Sequence, residues 1–423
     1  MSVVDELLRG VNIPPLARVR QKFLRPILSD VPAAVRSEMG KQGLLNKVKP
    51  GDTVAVTVGS RGVANLPVII REIVNSLVKA GALPFVIPAM GSHGGATDFG
   101  QVEILSDLGI TRESIGAPIR ATMEVVNLSA AGEAPVFIDR LAFAADHTVV
   151  VGRIKLHPAF RGRYESGLVK MIAIGLGKQK GAEYCHSFGL VNMSMQIEKM
   201  ARVVLSKANI LCGVALLENA YDETCKVVAM PAADIMSAEP ALLEESKGYM
   251  PQIYFDAADV LVVDEMGKNI SGTGMDPNII ERFTTPTIPD TNKFQRIVVC
   301  DITSESHGNF NGAGLADICT RKMFEKMDFS ATYPNQLTSR VLKSAKIPMV
   351  MENDRQAILA AIKTCIEIDT ENIRIVRIKN TMNLEDIWIS PALLMEAHRH
   401  SNIDVFDQPV PILFDSTGNI INR

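Results

Sequence analysis

Seven histidines stand in this sequence of 423 residues, and three of them lie where chemistry is done. His93 sits in Gly91-Ser92-His93-Gly94-Gly95, among small residues that leave an imidazole open to a cleft and free to titrate. His157 and His186 flank a polar stretch in which Arg153 to Lys180 holds seven basic residues and one acid, Glu165. That is a local charge of +6 in a chain whose net charge is −3. Inside it lies Lys170, followed by the apolar Met171, Ile172, Ala173 and Ile174. A lysine beside buried residues gives up its proton more easily, so it suits the part of nucleophile or covalent attachment point. Gly59-Ser60-Arg61-Gly62 offers backbone N–H groups, a hydroxyl and a guanidinium, a set that suits an anion. It is not a Walker A loop. Asp264-Glu265-Met266-Gly267-Lys268-Asn269 brings acid and base into one further loop, and the run 304–314 around His307 is another. His147, His398 and His400 read as structural or surface residues.

These loops need elements to carry them. Residues 53–59, 84–88 and 147–152 are short apolar runs bounded by glycine or proline and read as buried strands. Between them, 67–81 has helical spacing with Pro67 at its start, and 97–109 reads as a helix capped by Thr97. A helix over 193–208 and strands over 210–219 and 226–231 follow. Residues 233–252, polar, helical and interrupted by Pro240, read as a connector, with the main boundary near 240–255. A second series begins with 259–265 and runs through 294–302, a helix near 356–368, and 372–378. Strands alternating with helices predict an α/β protein: two domains with mostly parallel sheets and an active-site cleft between them. The expected division is an amino-terminal domain over 1–245, a carboxy-terminal domain over 246–410, and a tail, 411–423, packing back on the first. In such sheets ligands bind on the loops at the carboxyl ends of strands, where the polar runs above fall.

Composition narrows the rest. Hydrophobic residues make up 47% and charged residues 22%, the balance of a soluble globular chain. A charge near zero argues against nucleic acid as partner. No apolar stretch reaches the ~18 residues of a membrane span, and the first residues lack the apolar core of a signal peptide. A cytoplasmic location is expected. The six cysteines are scattered without a CxxC pair, so neither a zinc ribbon nor a disulfide framework is implied.

Together these residues resemble the lactate racemase family, whose members use a nickel pincer nucleotide. Gly91-Ser92-His93 resembles the family's Gly-Thr-His element. His157 with Ser166-Gly167-Leu168-Val169-Lys170 resembles its second histidine and its Ser-Gly-x-x-Lys attachment site. His186, sixteen residues after Lys170, stands at the separation the family keeps between cofactor lysine and nickel-binding histidine. Glu265-x-x-Lys268 stands where the family has Gln-x-x-Lys near substrate.

The resemblance implies a racemase or epimerase of a 2-hydroxy acid. The cofactor would be a pyridinium mononucleotide with two sulfur-bearing carbonyl groups, tethered to Lys170, with nickel held by the cofactor and His186. Soft sulfur and imidazole donors suit nickel. Hydride would pass to the cofactor and back while His93 and His157 serve as alternate bases. Arg61, Glu265 and Lys268 would bind substrate; Ser60, Ser166, Gly167 and the basic stretch would hold the cofactor and its phosphate. Partners would be a small 2-hydroxy acid and the cofactor-synthesis enzymes, with no nucleic acid or membrane, and a homo-oligomer is compatible with this reading. Three departures are visible. The stretch from His157 to Lys170 is longer and carries Arg161 and Arg163, Val58-Gly59 replaces an acidic residue, and Glu265 replaces a neutral amide. They point to a hydroxy acid larger or more acidic than lactate. A dehydrogenase, an acid–base lyase and a non-catalytic cofactor-binding protein remain as alternatives, although no GxGxxG fingerprint follows a strand.

Overall fold

The computed structural model describes residues 2–421 apart from Gln42 and Thr287. Two compact units divide the chain: Leu24–Met250, and Met1–Phe23 together with Pro251–Arg423. Both are α/β.

The opening strand, β1 (Ala17–Gln21), belongs to the second unit. In the Leu24–Met250 unit come β2 (Thr53–Val58), β3 (Leu83–Pro88), a hairpin of β4 (Val125–Asn127) and β5 (Phe137–Asp139), β6 (His147–Arg153), β7 (Ile210–Glu218) and β8 (Thr224–Pro231). The main sheet has the order β3-β2-β6-β7-β8, and only β8 runs antiparallel to its neighbour. Its central strands are apolar without alternation because both faces are covered. The helix Leu66–Lys79, with Pro67 in its first turn, lays Ile69, Ile70, Ile73, Val74 and Leu77 into the core of this unit. Each such side chain stabilises the fold by ~1.5–3 kcal/mol relative to exposure.

The second unit holds β9 (Ala258–Val263), β10 (Phe294–Val299), β11 (Ile318–Thr320), β12 (Met349–Met351), β13 (Ile375–Ile378), β14 (Asp386–Ile389) and β15 (Ile403–Val405). With β1 they form one sheet, β12-β11-β10-β9-β13-β14-β1-β15. It is parallel from β12 to β13 and antiparallel from β13 onward. Val260, Val262 and Val298 pack with the helix Asp354–Thr364 on one face, while Leu261, Val263, Ile297 and Val299 build a core on the other.

Two expectations about domains change, those for the first 23 residues and for the tail. The first 23 residues do not join the amino-terminal unit: β1 is held between β14 and β15, with Val19 fully buried. An alternating strand, Ala-Arg-Val-Arg-Gln, needs an edge to pair with, and the second sheet supplies it. The tail stays on its own unit as well. Leu16 bridges Val410, the backbone N–H of Ile420 donates to Asp354, and Ile420 is buried beside Leu8 and Leu16. The unit boundary falls at Met250/Pro251, inside the stretch 233–252, most of which packs into the Leu24–Met250 unit. Its helix Ile235–Lys247 buries Ile235, Glu239, Leu242 and Leu243. Among the described residues no helix is long and apolar enough to cross a membrane.

Candidate active site

The loops after β2, β3 and β6 share the carboxyl edge of one parallel sheet, and glycines let them approach each other. Gly59 leaves room for Met171, whose methyl carbon would stand 2.9 Å from a Cβ there. Gly91, at φ +59, donates its N–H to the Gly175 carbonyl at 3.2 Å. A Cβ on Gly175 would in turn meet the Ala89 carbonyl at 2.7 Å. The His93 loop therefore lies against the segment that follows Lys170. That segment is a π-helical turn, Met171–Gly175, directly after the short helix Leu168–Lys170. Such wide turns interrupt the helical ladder and recur at functional sites.

Lys170, His157, His186 and Arg61 form one electrostatic group. Burial and the Arg61 charge push the Lys170 ammonium down to about 8. Burial and the Lys170 charge push His186 down to about 4. His157 is held well below the usual histidine range by burial, with Lys170, His186, Arg161 and Lys155 adding repulsion. Its ring stacks on Phe160 at 4.1 Å, and the Lys170 Nζ lies 5.8 Å from the centre of the Phe160 ring. All three groups are thus shifted toward their neutral, lone-pair-bearing forms, the two histidines most fully. His186 rides on the helix Lys178–Ser187, and its Nδ1 is buried without a hydrogen-bond partner. A neutral imidazole with an unused ring nitrogen is a metal donor. Among the described residues no three His, Cys, Asp or Glu side chains gather as ligands. A metal on His186 would take its other donors from a bound group.

The loop carrying His157 is fixed by Glu165, the one acid in the basic stretch. Its carboxylate accepts the His157 N–H at 2.7 Å and stands 3.6 Å from Arg161, which also donates to the His157 carbonyl. The backbones of Ser166 and Lys155 pair as an antiparallel bridge. Gly167 is needed because a Cβ there would meet Glu239 Oε1 at 2.3 Å. Glu239 Oε2 accepts the Val169 N–H at 2.9 Å, so this carboxyl caps the helix that ends in Lys170. Burial pushes it up to about 7. A carboxyl raised in the folded state stabilises below its unfolded value and loses that contribution as pH rises through the folded one. Relative to Glu239→Gln, the wild type is expected to lose about 3 kcal/mol of stability between roughly pH 4.5 and 8, read from urea midpoints. A constant difference across that range would remove Glu239 from this role.

The basic stretch is not an open phosphate surface, and that expectation is corrected for two of its members. Lys178 is fully buried, its Nζ donating to the Pro88 carbonyl at 2.5 Å and Gln101 Oε1 at 3.0 Å, with Asp139 at 3.0 Å. Gln101 passes the restraint on, its amide donating to the carbonyls of Gly91 (3.0 Å) and His93 (3.2 Å). Arg153 is paired with Glu218. A cation buried on its own carboxylate is not available to a ligand. Ser60 and Arg61 remain at the carboxyl end of β2, Ser60 half-buried and Arg61 exposed as a residue, although burial of its guanidinium and the Arg153 charge shift that group down.

Glu265 and Lys268 lie in the other unit, after β9. Glu265 accepts from Asn380 at 3.1 Å, and Lys268 Nζ donates to the Gly272 carbonyl at 2.8 Å. The preceding Asp264 is locked in a buried bidentate pair with Arg377, which lies over Trp388. Sequence reasoning noted the aromatic Phe160 after His157 without giving it a role, and missed Gln101, Asp139 and Glu239. Only Gln101 carried a signal, a polar side chain on the inward face of a helix.

No family model matches the chain, and no curated protein does. Among solved structures, the lactate racemase apoprotein from Thermoanaerobacterium thermosaccharolyticum is similar at a TM-score of 0.55 and 13% identity, over 86% of this chain and 94% of that one. At that identity the likeness is one of fold, and it places the chain among α/β proteins built like a lactate racemase.

Proposed function

We propose that the chain is a racemase or epimerase of a 2-hydroxy acid that carries a nickel pincer nucleotide on Lys170. The observation that supports this best is Lys170 itself, an amine pushed down to about 8 beside two histidines held neutral. Forming a covalent tether needs the amine's lone pair, which burial and Arg61 make available near neutral pH. The donor set fits as well, because His186 offers one nitrogen and the group brings its own sulfur donors. When bound, the group would supply hydride acceptance and return at the hydroxyl-bearing carbon. The chain would do the rest. Arg61 would orient the substrate carboxylate with a fixed fork of N–H donors, and an imidazole would move the hydroxyl proton. Phe160, packed on the His157 ring, would exclude water on that side. The resemblance assigns Glu265 and Lys268 to the substrate as well.

The test is to produce the protein beside the cofactor-synthesis enzymes. The peptide containing Lys170 should then gain mass, with nickel in step with that modification, and the protein should interconvert the two hands of a 2-hydroxy acid. Holo-preparations with unmodified Lys170 and no nickel would sink the proposal.

A further inference from the structure

The helix Phe329–Ser339 of the second unit is turned inside out. A surface helix normally sets its apolar stripe against the core and its polar side toward water. Here the buried side chains are Thr332 and Gln336, while Phe329, Tyr333 and Leu337 are 40%, 47% and 78% exposed. Those three stand four residues apart, so they form one stripe. The Phe329 and Tyr333 rings lie 5.5 Å apart, and Leu342, 69% exposed, follows just past the helix end. The helix cannot roll to hide the stripe, because its polar side is anchored. The Thr332 hydroxyl accepts the Phe310 N–H at 3.1 Å and donates to the Asp328 carbonyl at 2.7 Å. The Gln336 amide donates to Asn311 Oδ1 at 2.6 Å and to the Ser344 hydroxyl at 3.1 Å. Rolling would leave these buried groups unpaired, at ~1–3 kcal/mol each. With side chains of roughly 200 Å² each, the stripe and Leu342 leave on the order of 400 Å² of apolar surface in water. A patch of that size marks a contact surface, and it is enough for the core of a face burying the ~800 Å² per partner of a stable complex.

We propose that this face joins two copies of the chain about a twofold axis, helix against helix and antiparallel. Such an interface sets the same surface on both sides, so it must be complementary to itself. The helix meets that condition along its length, since Phe-Ser-Ala-Thr-Tyr-Pro-Asn-Gln-Leu-Thr-Ser holds no charged residue. Its two ends meet it by opposite charge. Exposed Glu325 and Asp328 precede the helix, and exposed Lys343 and Lys346 follow it. Lys326, between the two acids, is paired with Asp301. An antiparallel pair lays the acidic end of one helix beside the basic end of the other and opposes the two helix dipoles favourably. A parallel pair would bring like charges together. Tyr333, in the middle of the stripe, then lies at the axis, and Phe329 packs on the partner's Leu337. No residue of the Lys170 site enters this inference, so it stands apart from the racemase reading.

Sedimentation velocity of the full chain at micromolar concentration should show a dimer. Tyr333→Glu and Leu337→Glu, both at exposed positions, should each raise its dissociation constant by ~30-fold or more. Met395→Glu, at a 64% exposed apolar position on the helix Leu394–Arg399, should leave it unchanged. Glu325→Lys should weaken the dimer, and adding Lys346→Glu should restore it by exchanging the signs of the pair. A monomeric wild type overturns the proposal, including one whose stripe is shielded by another part of the same chain. So does a dimer that survives both glutamate variants, or one that Met395→Glu weakens equally. A charge exchange that restores nothing overturns the antiparallel arrangement.

Discussion

At about pH 7.5, Lys170 of the unloaded protein is expected to react with a small amine-directed reagent roughly 200 times faster than an ordinary surface lysine of equal access. The factor follows from the fraction that is neutral. A lysine pushed down to about 8 is about a quarter unprotonated there, while an ordinary one is so in roughly one molecule per thousand. Peptide mass spectrometry of labelling rate against pH should show a midpoint near 8 for Lys170 and a continuing rise for exposed lysines. The direction has two causes, burial and the Arg61 charge, and the second can be removed. Arg61→Ala should move the midpoint upward, because a like charge no longer opposes the ammonium. A midpoint above about 10 in the wild type would mean that Lys170 is no more poised than a surface lysine, and the attachment argument would lose its base. The same depressed value carries a stability consequence. The unfolded chain binds the proton more tightly, so this group destabilises at neutral pH and the penalty fades as pH rises from about 8 toward 10.5.

Why Lys170 could be singled out from sequence is instructive. Its apolar followers announced burial, and burial is what shifts an amine. The strands and most helices of the Leu24–Met250 unit were legible for a related reason: continuous apolar runs closed by glycine admit few other placements. The helix at Asp98–Asp107 begins where Thr97 offers its hydroxyl to the Gly100 N–H. What sequence could not show depends on long-range partners. β1 reads as a strand only once β14 and β15 are there to flank it, 366 residues away for the pair Arg20 and Asp386. Glu239 looked like one more acid in a polar connector, yet it caps the Lys170 helix from 70 residues away. The local excess of positive charge was real as arithmetic and misleading as a surface. Charge runs say nothing about which members find a buried carboxylate, and Lys178 and Arg153 both find one.

Lys178→Ala is expected to destabilise the protein by about 3–5 kcal/mol, the cost of leaving a buried charge without its partner. The charge left behind is Asp139, fully buried, whose other oxygen caps the helix Arg140–Ala144 by accepting from Leu141 at 2.7 Å. If the unpaired carboxylate is the cause, removing its charge should undo most of the loss. Lys178→Met with Asp139→Asn keeps the cap and a side chain of similar length, and should recover most of the stability in chemical denaturation. A double variant as unstable as Lys178→Ala would show that the cost lies elsewhere. Backbone strain separates a second contribution. Lys178 sits at φ +53, where a non-glycine residue costs on the order of 1 kcal/mol or more. Lys178→Gly relieves that strain and deletes the ammonium together. It should still destabilise, because the ion pair outweighs the strain, and a stabilised glycine variant would reverse that ranking. The ammonium also reaches the site: through Gln101 it holds the carbonyls of Gly91 and His93. The double variant should therefore recover stability without recovering loop order. Amide hydrogen exchange over residues 91–96 is expected to remain faster than in the wild type even where the global unfolding free energy has returned, since the neutral pair no longer ties Gln101 to Pro88.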